Sequence, residues 1–380
     1  MTPTSERPGP DTTGLSREDI AHLEWARQIA RKGWGQVHPN PLVGCVVVRD
    51  GRIVGEGFHR EFGGPHAEIV ALEDAKGQAE GATAYVSLEP CNHEDKTPPC
   101  SSALIRAGVE RVVYGASEPG RTEGGGGDAL RSAGLEVTGP VWSPAVGRAE
   151  NPAFFHRRSH DTPFIAVKLA LSLDGRIAAE PGVRTRVTGP EAEAEVHRLR
   201  TGFDGILIGT TTAKVDDPQL TVRKTPEGRT QIRRLVLDAS AELPSDAALF
   251  EAIDSSPLHV FTRRDAPETD ITRLESLGAH VHPVPQAPGG LDLGAVLGVA
   301  WELGVLSLLC EGGGRLVGSL MREDRVQRLY LIVAPHVLGP KGVPAFGEDA
   351  EAIEWSRFSP AFPPELYGRD TMMILDRDAD

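Results

Sequence analysis

The 380-residue chain is poor in cysteine and has no long apolar run. Its four cysteines, Cys45, Cys91, Cys100 and Cys310, are too few for a disulfide framework, which favours a reducing, cytoplasmic setting. No apolar stretch approaches the roughly 20 residues that a membrane-spanning helix needs. The opening MTPTSERPGPDTTG lacks the apolar segment of a signal peptide or anchor. We therefore expect residues 1–15 to form a disordered tail, and we expect no membrane partner.

Positive charge and aromatic residues are also scarce. The chain has 40 Lys and Arg against 54 Asp and Glu, a formal net charge of -14, and 5% aromatic residues. A negatively charged surface repels phosphate backbones, and the sequence has no stripe of aromatic and basic residues on which single-stranded bases could stack. A nucleic-acid partner is therefore not expected. The chain is longer than one core usually organises, which predicts two domains.

The first part of the chain alternates helix and strand patterns. A helix with Ser16 as its N-cap is predicted to end at Gly33, and two strands are predicted to meet in a hairpin turn at Asp50-Gly51. HAEIVALEDAKGQA and CSSALIRAG predict helices, whereas ATAYVSL, VERVVYGA and GLEVTGPV predict strands. The glycine-rich SEPGRTEGGGGDAL is interpreted as a loop without regular structure.

A domain boundary is predicted near RAENPAFFHRRSHDTP, where a polar Arg/His run ends in a proline. The first domain is accordingly predicted to span 16–150 and the second 160–377. In the second domain FIAVKLAL, FDGILIG, RRLVLD, LHVFT, LSLLCEGGG and RLYLIVAP predict strands, and LGAVLGVAWELG and LVGSLMRE predict helices. This alternation favours an α/β fold in both domains.

Three potential metal ligands and one carboxylate occur in the order typical of zinc deaminases. PHAE carries His66 and Glu68, EPC carries Cys91, and PPC carries Cys100. In those enzymes the glutamate is the general acid and base rather than a ligand. Hydrolytic deamination needs a water of lowered pKa, which zinc supplies, and a carboxylate that carries protons to the leaving ammonia. Three protein ligands would leave the fourth tetrahedral position open, as in catalytic zinc sites.

Each part of this pattern has a simpler explanation when taken alone. A His-x-Glu triplet occurs often on surface helices, and a free cysteine is often a small buried apolar side chain. The combination in this order, on a helix, a strand end and a second helix, favours a zinc site. The pattern departs from most deaminases in one respect, because eight residues rather than two separate Cys91 from Cys100.

Four stretches, HPNPLVGCVVV, GEGFH, PHAE and LEPCNHEDKTPPCSSALIRAGVERVV, resemble the deaminase half of the RibD family of bifunctional riboflavin-biosynthesis proteins. The resemblance implies a cytidine-deaminase-like, three-layer domain in which the long gap between the cysteines is a substrate loop. It implies that the base and the ribose phosphate are contacted by Asn40, His59, His93 and Lys96. The alternatives are a solvated loop charge for Lys96, and caps or hairpin-end hydrogen bonds for Asn40 and His59.

Three stretches of the second half, KLALSLDGRIA, GTTTAKVDDPQLTVR and LLCEGGGRLVGSLM, combine polar or glycine-rich segments with predicted strands. The last places three glycines between a buried strand and a helix, where backbone N–H groups suit the pyrophosphate of a dinucleotide. A plain glycine-rich turn is the alternative. The glycine spacing is not that of a Rossmann fingerprint.

Together with LYLIVAPHVLG, these stretches resemble the reductase half of the same family over residues 164–347. The resemblance implies a dihydrofolate-reductase-like fold that uses NADPH. It implies substrate contacts from Arg200, Leu220, Arg223 and Glu311. It implies cofactor contacts from Leu171, Arg186, Thr212, Asp216, Gly313, Gly314, Arg315, Leu316, Val317, Gly318 and Ser319. The alternative for Arg200, at the end of EAEAEVHRLR, is a charge that complements the helix dipole.

The sequence departs from the family pattern at three places. NHEDKTPPC and SEPGRTEGGGG differ from the usual residues near the substrate. In GVRTRVTG, Arg184 and Arg186 occupy the places of a serine that touches substrate and a tryptophan that packs on the cofactor. An arginine can stack on an aromatic ring and can pair with a phosphate, so these replacements do not exclude a working reductase.

The favoured interpretation is a cytoplasmic, bifunctional enzyme with zinc and NADPH as cofactors. It would deaminate a phosphoribosylated pyrimidine and then reduce its ribosyl group. One alternative is a paralogue whose reductase half is altered or inactive, and another is a binding protein with a structural metal. A nucleic-acid deaminase is disfavoured by charge. The resemblance implies a homo-oligomer, in which RLYLIVAP could supply an intersubunit strand.

Overall fold

The computed structural model describes residues 14–93, 98–119, 125–222, 232–347 and 358–378. The chain divides into two compact units, Met1–Ser159 and His160–Asp380. Within these described ranges no helix is long and apolar enough to span a bilayer. Most of the predicted tail lies outside the described residues, but Leu15, which was assigned to it, packs against a core cluster of the first unit.

The first unit is built around one sheet with the strand order β2-β1-β3-β4-β5. Its strands are β1 (Gly44–Arg49), β2 (Arg52–Phe58), β3 (Thr83–Leu88), β4 (Arg111–Ala116) and β5 (Glu136–Thr138). Its helices are α1 (Arg17–Ala30), α2 (Ala67–Asp74), α3 (Cys100–Arg106), α4 (Gly126–Ser132), α5 (Pro144–Glu150) and α6 (Pro152–Arg157), with a 3-10 turn at Arg31–Gly33. The pairs β2-β1 and β1-β3 are antiparallel, whereas β3, β4 and β5 run parallel.

Helices cover both faces of this sheet because side chains alternate along its strands. Cys45 and Val47 of β1 pack in the cluster that contains residues of α2, α3 and α4. Val46 and Val48 pack in the opposite cluster with Leu23, Ala26 and Ile29 of α1. The predicted hairpin is confirmed, since Arg49 pairs with Arg52 across Asp50 and Gly51, both at positive φ.

One prediction for the first unit was wrong. The stretch interpreted as an irregular loop contains helix α4, which begins at Gly126 after Gly125 at φ 85°. The glycines there are not a sign of flexibility, because a Cβ on Gly126 would lie 1.7 Å from the carbonyl oxygen of Pro90. The stretch near which a domain boundary was predicted contains the end of α5 and all of α6, and the two units divide within it, after Ser159. Phe154 of α6 packs against Leu88 of the first sheet, so the first unit extends beyond residue 150.

The second unit has a mainly parallel sheet with the strand order β11-β10-β9-β8-β14-β6-β15-β19-β17. Its strands are β6 (Phe164–Ser172), β7 (Arg176–Ala178), β8 (Gly205–Gly209), β9 (Arg233–Leu237), β10 (Leu258–Arg263), β11 (His280–Val284), β12 (Gln286–Ala287), β13 (Gly290–Leu291), β14 (Ser307–Cys310), β15 (Arg328–Ala334), β16 (Val343–Pro344), β17 (Phe358–Pro360), β18 (Glu365–Tyr367) and β19 (Asp370–Arg377). Its helices are α7 (Pro190–Thr201), α8 (Thr210–Asp216), α9 (Glu268–Ser276), α10 (Leu293–Glu302) and α11 (Gly314–Arg322), with a 3-10 turn at Ala248–Ala252.

Strand β14 lies between β8 and β6 and runs parallel to both. The carboxyl ends of these three strands therefore meet at one edge of the sheet, which is where α/β sheets bind ligands. The suggestion that RLYLIVAP is an intersubunit strand was wrong. Strand β15 pairs with β6 on one side and with β19 on the other, so both of its edges are occupied within the chain.

Three histidines lie on one face at the β10/β11 edge of this sheet. His259 contacts His282 through a 3.0 Å Nδ1···Nε2 hydrogen bond, and its ring stacks on both His280 and His282. Burial, followed by the neighbouring imidazoles, lowers the pKa of His259 to about 4, and burial also lowers the pKa of His282. The folded protein thus keeps the rings of His259 and His282 neutral at pH values where an unfolded chain would protonate them.

We predict that the second unit loses stability as the pH falls from about 6.5 towards about 4. Each proton that the unfolded chain takes up in excess costs about 1.4 kcal/mol per pH unit. Urea unfolding at pH 7, 6 and 5 measures this loss, and His259→Gln should flatten the pH dependence. If the free energy of unfolding changed with pH equally in wild type and in His259→Gln, the prediction would be contradicted.

Candidate active sites

The potential metal ligands of the first unit come from three different elements. His66 is the N-cap residue of α2, Cys91 follows the end of β3, and Cys100 is the first residue of α3. Strands β2 and β3 both run antiparallel to β1, which lies between them, so they point the same way and the segments after them share one end of the sheet. His66 follows β2, and Cys91 and Cys100 follow β3, so the three side chains meet at this end of the sheet.

The distances within this cluster fit one tetrahedral ion. His66 Nδ1 lies 3.2 Å from Cys100 Sγ and 3.5 Å from Cys91 Sγ, and the three ligand atoms all lie within 4.8 Å of one another. Bonds of normal zinc length would separate nitrogen and sulfur by about 3.5 Å in such a centre. One imidazole and two thiols are also a donor set that zinc prefers. The residues present therefore fit the metal.

The two thiols are electrostatically distinct. Hydrogen bonding from the Cys100 thiol, together with contacts from His66 and the Cys100 main chain, lowers the pKa of Cys91 to about 4. The Cys100 N–H donates to Cys91 Sγ at 3.3 Å, and that bond stabilises a thiolate. The same coupling raises the pKa of Cys100, so Cys91 is the sulfur that ionises first.

Glu68 lies beside the cluster in the first turn of α2. Its side chain is buried, with 3% of the residue exposed. Burial, followed by the charge of Cys91, raises the pKa of Glu68 to about 7. A carboxyl group that is shielded from solvent and lies next to three metal ligands can exchange protons with a molecule bound there.

His59 and Asn40 form a second pair next to the cluster. The His59 ring meets the His66 ring edge-on, with 5.5 Å between centroids. His59 Nδ1 donates to the carbonyl of Pro65 at 2.9 Å, and Nε2 accepts from the Asn40 amide at 3.1 Å. Burial lowers the pKa of His59, in keeping with a neutral ring. Both ring nitrogens are thus engaged within the protein, and the Asn40 carboxamide is fixed in orientation.

The other two residues predicted to contact the first substrate belong to the loop between the cysteines. His93 is partly buried, and its Nδ1 has no hydrogen-bond partner among the residues that the structure describes. Lys96 lies outside the described residues. Arg223, predicted to contact substrate in the second unit, lies outside them as well.

In the second unit Glu311 is the centre of a buried charge cluster. It follows β14, and Arg200 in the last turn of α7 donates to both of its carboxylate oxygens, at 2.6 and 3.1 Å. Lys168 of β6 lies 3.4 Å from the same carboxylate. Burial alone would raise the pKa of Glu311, but Arg200 and Lys168 lower it to about 2. Arg200 also donates to the carbonyl of Thr221, beside the predicted contact Leu220.

The glycine-rich turn meets the polar helix that follows β8. The N–H of Gly313 donates to Thr212 Oγ1 at 3.1 Å, so the starts of α8 and α11 lie together. A Cβ on Gly314 or Gly318 would lie 2.5 Å from the carbonyl of Pro344 or Phe346, respectively. These glycines let the start of α11 approach the end of β16 and the residues that follow it, which leaves the N-terminal amides of α11 at the carboxyl end of β14.

The remaining predicted residues have varied surroundings. Leu171, Val317 and partly buried Leu316 pack in the main core, and buried Leu220 has a φ of 52°. Burial raises the pKa of Asp216, near the charges of Arg184 and Lys168. Exposed Arg315 donates to the carbonyl of Gly289, and Ser319 accepts from Arg322. Arg186 is exposed and pairs with Glu193 at the start of α7.

Two residues at these sites were not assigned any role from the sequence. Lys168 lies within a predicted strand, and a lysine in the otherwise apolar FIAVKLALS is a signal of a buried ion pair. Glu89 precedes Pro90 and Cys91, and its carboxylate binds two distant backbone N–H groups. No local sequence pattern could have predicted that Glu89 binds these backbone groups.

Comparison with known proteins places both units in one family. Residues 16–116 match the cytidine and deoxycytidylate deaminase zinc-binding region, and residues 163–356 match the RibD C-terminal domain. The riboflavin biosynthesis protein RibD of Aquifex aeolicus is 36% identical over 360 residues, which cover 94% of this chain and 98% of the relative. RibD of Escherichia coli is 36% identical over 338 residues, covering 85% and 89%.

Solved structures agree with these matches. Acinetobacter baumannii RibD superposes with a TM-score of 0.77 at 30% identity, covering 96% of this chain and 99% of that one. A diaminohydroxyphosphoribosylaminopyrimidine deaminase/5-amino-6-(5-phosphoribosylamino)uracil reductase from Thermotoga maritima gives a TM-score of 0.76 at 29% identity, covering 95% and 99%. The fold prediction is confirmed, with a cytidine-deaminase-like N-terminal unit and a dihydrofolate-reductase-like C-terminal unit. The chain belongs to the RibD family of bifunctional riboflavin-biosynthesis deaminase-reductases.

Proposed function

We propose that the first unit hydrolyses the ring amino group of diaminohydroxyphosphoribosylaminopyrimidine. The second unit then reduces the ribosyl group of 5-amino-6-(5-phosphoribosylamino)uracil to ribityl with NADPH. The observation that carries the proposal is the convergence of His66, Cys91 and Cys100 beside the buried Glu68. A purely structural zinc site would need neither an open position nor a buried carboxyl group next to it.

The residues of the first unit would divide the deamination between them. When bound, zinc would supply a water molecule of lowered pKa. His66 Nδ1 and the two cysteine sulfurs would hold the ion and leave one position open. Glu68 would take a proton at its carboxylate and return it to the ring amino group, which leaves as ammonia. Its burial excludes bulk water from this transfer.

Recognition of the pyrimidine would depend on residues that are already oriented. The Asn40 carboxamide, held by His59, would contact the ring, while His59 itself would act through Asn40 and the chain before His66. Lys96 would provide the local positive charge that a phosphorylated substrate needs in an acidic protein, and His93 would contact the same substrate by hydrogen bonding. The two kinds of contact separate recognition of the base from recognition of the phosphate.

In the second unit the charge cluster and the glycine-rich turn would serve different ligands. NADPH would supply a hydride. Thr212 and the amides that begin at Gly313 would hold its pyrophosphate, and Arg200 and Glu311 would orient the substrate. The ribosyl ring first opens to an imine: the bond between its anomeric carbon and the ring oxygen breaks, and that oxygen takes the proton of the attached nitrogen. Reduction then adds the hydride to the imine carbon and a proton to its nitrogen, which gives the ribitylamino product.

Metal removal provides the direct test of the proposed division of labour. Treatment with a zinc chelator is expected to abolish ammonia release, whereas oxidation of NADPH with the deaminated substrate should continue at its original rate. Adding zinc should restore ammonia release. Both reactions are followed in the same preparation. Ammonia release that survives complete removal of the metal would refute the role of zinc.

A second candidate function is a RibD-like deaminase with an altered reductase half. The observation in its favour is that Arg186 pairs with Glu193 of α7, which directs its guanidinium to that helix. NADPH oxidation at a normal turnover with the deaminated riboflavin intermediate would exclude this candidate.

We also propose a cytoplasmic location, consistent with four free cysteines. A homo-oligomer is proposed on family resemblance, and sedimentation of the full chain tests it.

A further inference from the structure

Glu89 connects the chain next to Cys91 with a segment that is distant in sequence. It follows β3 directly and precedes Pro90 and Cys91. One carboxylate oxygen accepts the N–H of Glu118 at 3.2 Å, and the other accepts the N–H of Gly127 at 3.0 Å. These two donors lie after β4 and in the first turn of α4, on either side of residues 120–124. One side chain therefore connects Glu118 and the start of α4 to the segment between β3 and Cys91.

The backbone of α4 reinforces this connection. The Cα of Gly126 lies so close to Pro90 that a Cβ would come within 1.7 Å of the Pro90 carbonyl oxygen. Gly127 is similarly enclosed, since a Cβ there would lie 3.2 Å from the hydroxyl of Tyr114. The Glu89-Pro90 peptide is consequently held by the Glu89 carboxylate and by direct contact with α4.

The other side of Cys91 is held by α3. The carbonyl of Cys91 accepts the N–H of Ser101 at 3.2 Å, and the Ser101 hydroxyl donates to the side chain of Asn92 at 2.9 Å. With both of its flanks fixed, Cys91 has little freedom to move its sulfur. The α3 contacts come from the helix that carries Cys100, whereas the contacts before Cys91 depend on Glu89.

We propose that Glu89 is a positioning residue that sets the place of the Cys91 sulfur for the metal. The inference relies on the proposed role of Cys91 as a ligand. Hydrogen bonds from backbone N–H groups to a carboxylate are stronger than neutral ones, so two of them fix the Glu89-Pro90 peptide firmly. Residues that orient metal ligands typically change metal affinity or activity by about 10- to 100-fold when they are replaced.

The test uses full-length protein in which cobalt(II) replaces the metal. Glu89→Gln keeps the size of the side chain but puts an amide N–H₂ group against a backbone N–H donor. Glu89→Asp keeps the charge but is too short to reach both donors. The control is Glu110→Gln, an exposed position in the same unit. The readouts are the cobalt-thiolate absorption spectrum, the cobalt Kd from competition with a chelator, and both enzymatic rates.

We expect Glu89→Gln to shift the cobalt spectrum, to weaken cobalt binding by about 10- to 100-fold and to lower kcat/KM for ammonia release by a similar factor. Glu89→Asp should change the same quantities less, whereas Glu110→Gln and NADPH oxidation should not change. An unaltered cobalt spectrum and Kd in Glu89→Gln would overturn the inference, even if the variant melts at a lower temperature. A Cys91→Ser variant is the reference: if its spectrum equals that of wild type, the ligand assignment itself fails.

Discussion

Replacing Glu68 by glutamine is expected to lower ammonia release by about a thousandfold or more. The amide has nearly the same shape but cannot accept and return a proton, and proton transfer by a positioned side chain contributes about 10²- to 10⁴-fold to the rate. Glu68 is buried beside three metal ligands, so bulk water cannot easily substitute for it. Zinc content and NADPH oxidation should be unchanged, because Glu68 is not one of the predicted ligands.

Glu73→Gln is the matched control, since Glu73 is an exposed residue of the same helix. Ammonia release, zinc content and NADPH oxidation are measured on all three proteins. If Glu68→Gln lost its metal, Glu68 would be a ligand rather than the proton carrier. If it released ammonia at the wild-type rate, the proposed chemistry of the first unit would be wrong.

Glu311→Gln is expected to inactivate the second unit and to destabilise it. The substitution leaves Arg200 and Lys168 largely buried without the carboxylate that they share. Removing one member of a buried ion pair typically costs about 3–5 kcal/mol, because the remaining charge is uncompensated. We expect the free energy of unfolding to fall by about 3 kcal/mol and NADPH oxidation to fall at least about a hundredfold. Urea unfolding and the rate with deaminated substrate measure the two effects.

The exposed Glu302, replaced by glutamine, provides the control for this substitution. A double variant, Glu311→Gln with Arg200→Met, should be destabilised by less than the sum of the single changes, because it removes both charges of the pair. Additive losses would show that the two residues do not interact.

The pKa of Glu311, lowered to about 2, also predicts that the stability which this pair contributes is complete above about pH 4.5 and lost as the pH falls towards 2.

The sequence was sufficient to predict the metal cluster because its spacing is tied to secondary structure. A histidine at a helix start, a cysteine after a strand and a cysteine at the next helix start are local features, each visible in a few residues. Strands β2 and β3, which point the same way on either side of β1, then bring the segments after them to one end of the sheet. The Asp50-Gly51 hairpin was predictable for the same reason, since its conformation is determined by two residues.

Contacts between distant segments were not predictable. Helix α4 was missed because glycine has a low helix propensity, yet Gly126 is required where the helix touches Pro90. The central place of β15 depends on β19, which lies some 40 residues further along the chain. The roles of Glu89 and Lys168 depend on partners that the fold supplies. Local propensity carries no information about which distant segment will pack against a given residue.

X-ray absorption at the zinc edge of the full-length, zinc-loaded protein addresses the cysteine-histidine centre most directly. We expect two sulfur ligands at about 2.3 Å, one imidazole nitrogen at about 2.0 Å and one further oxygen at the open position. Cys91→Ser should reduce the sulfur count to one. Four protein ligands with no oxygen, or a first shell without sulfur, would contradict a catalytic zinc held by His66, Cys91 and Cys100.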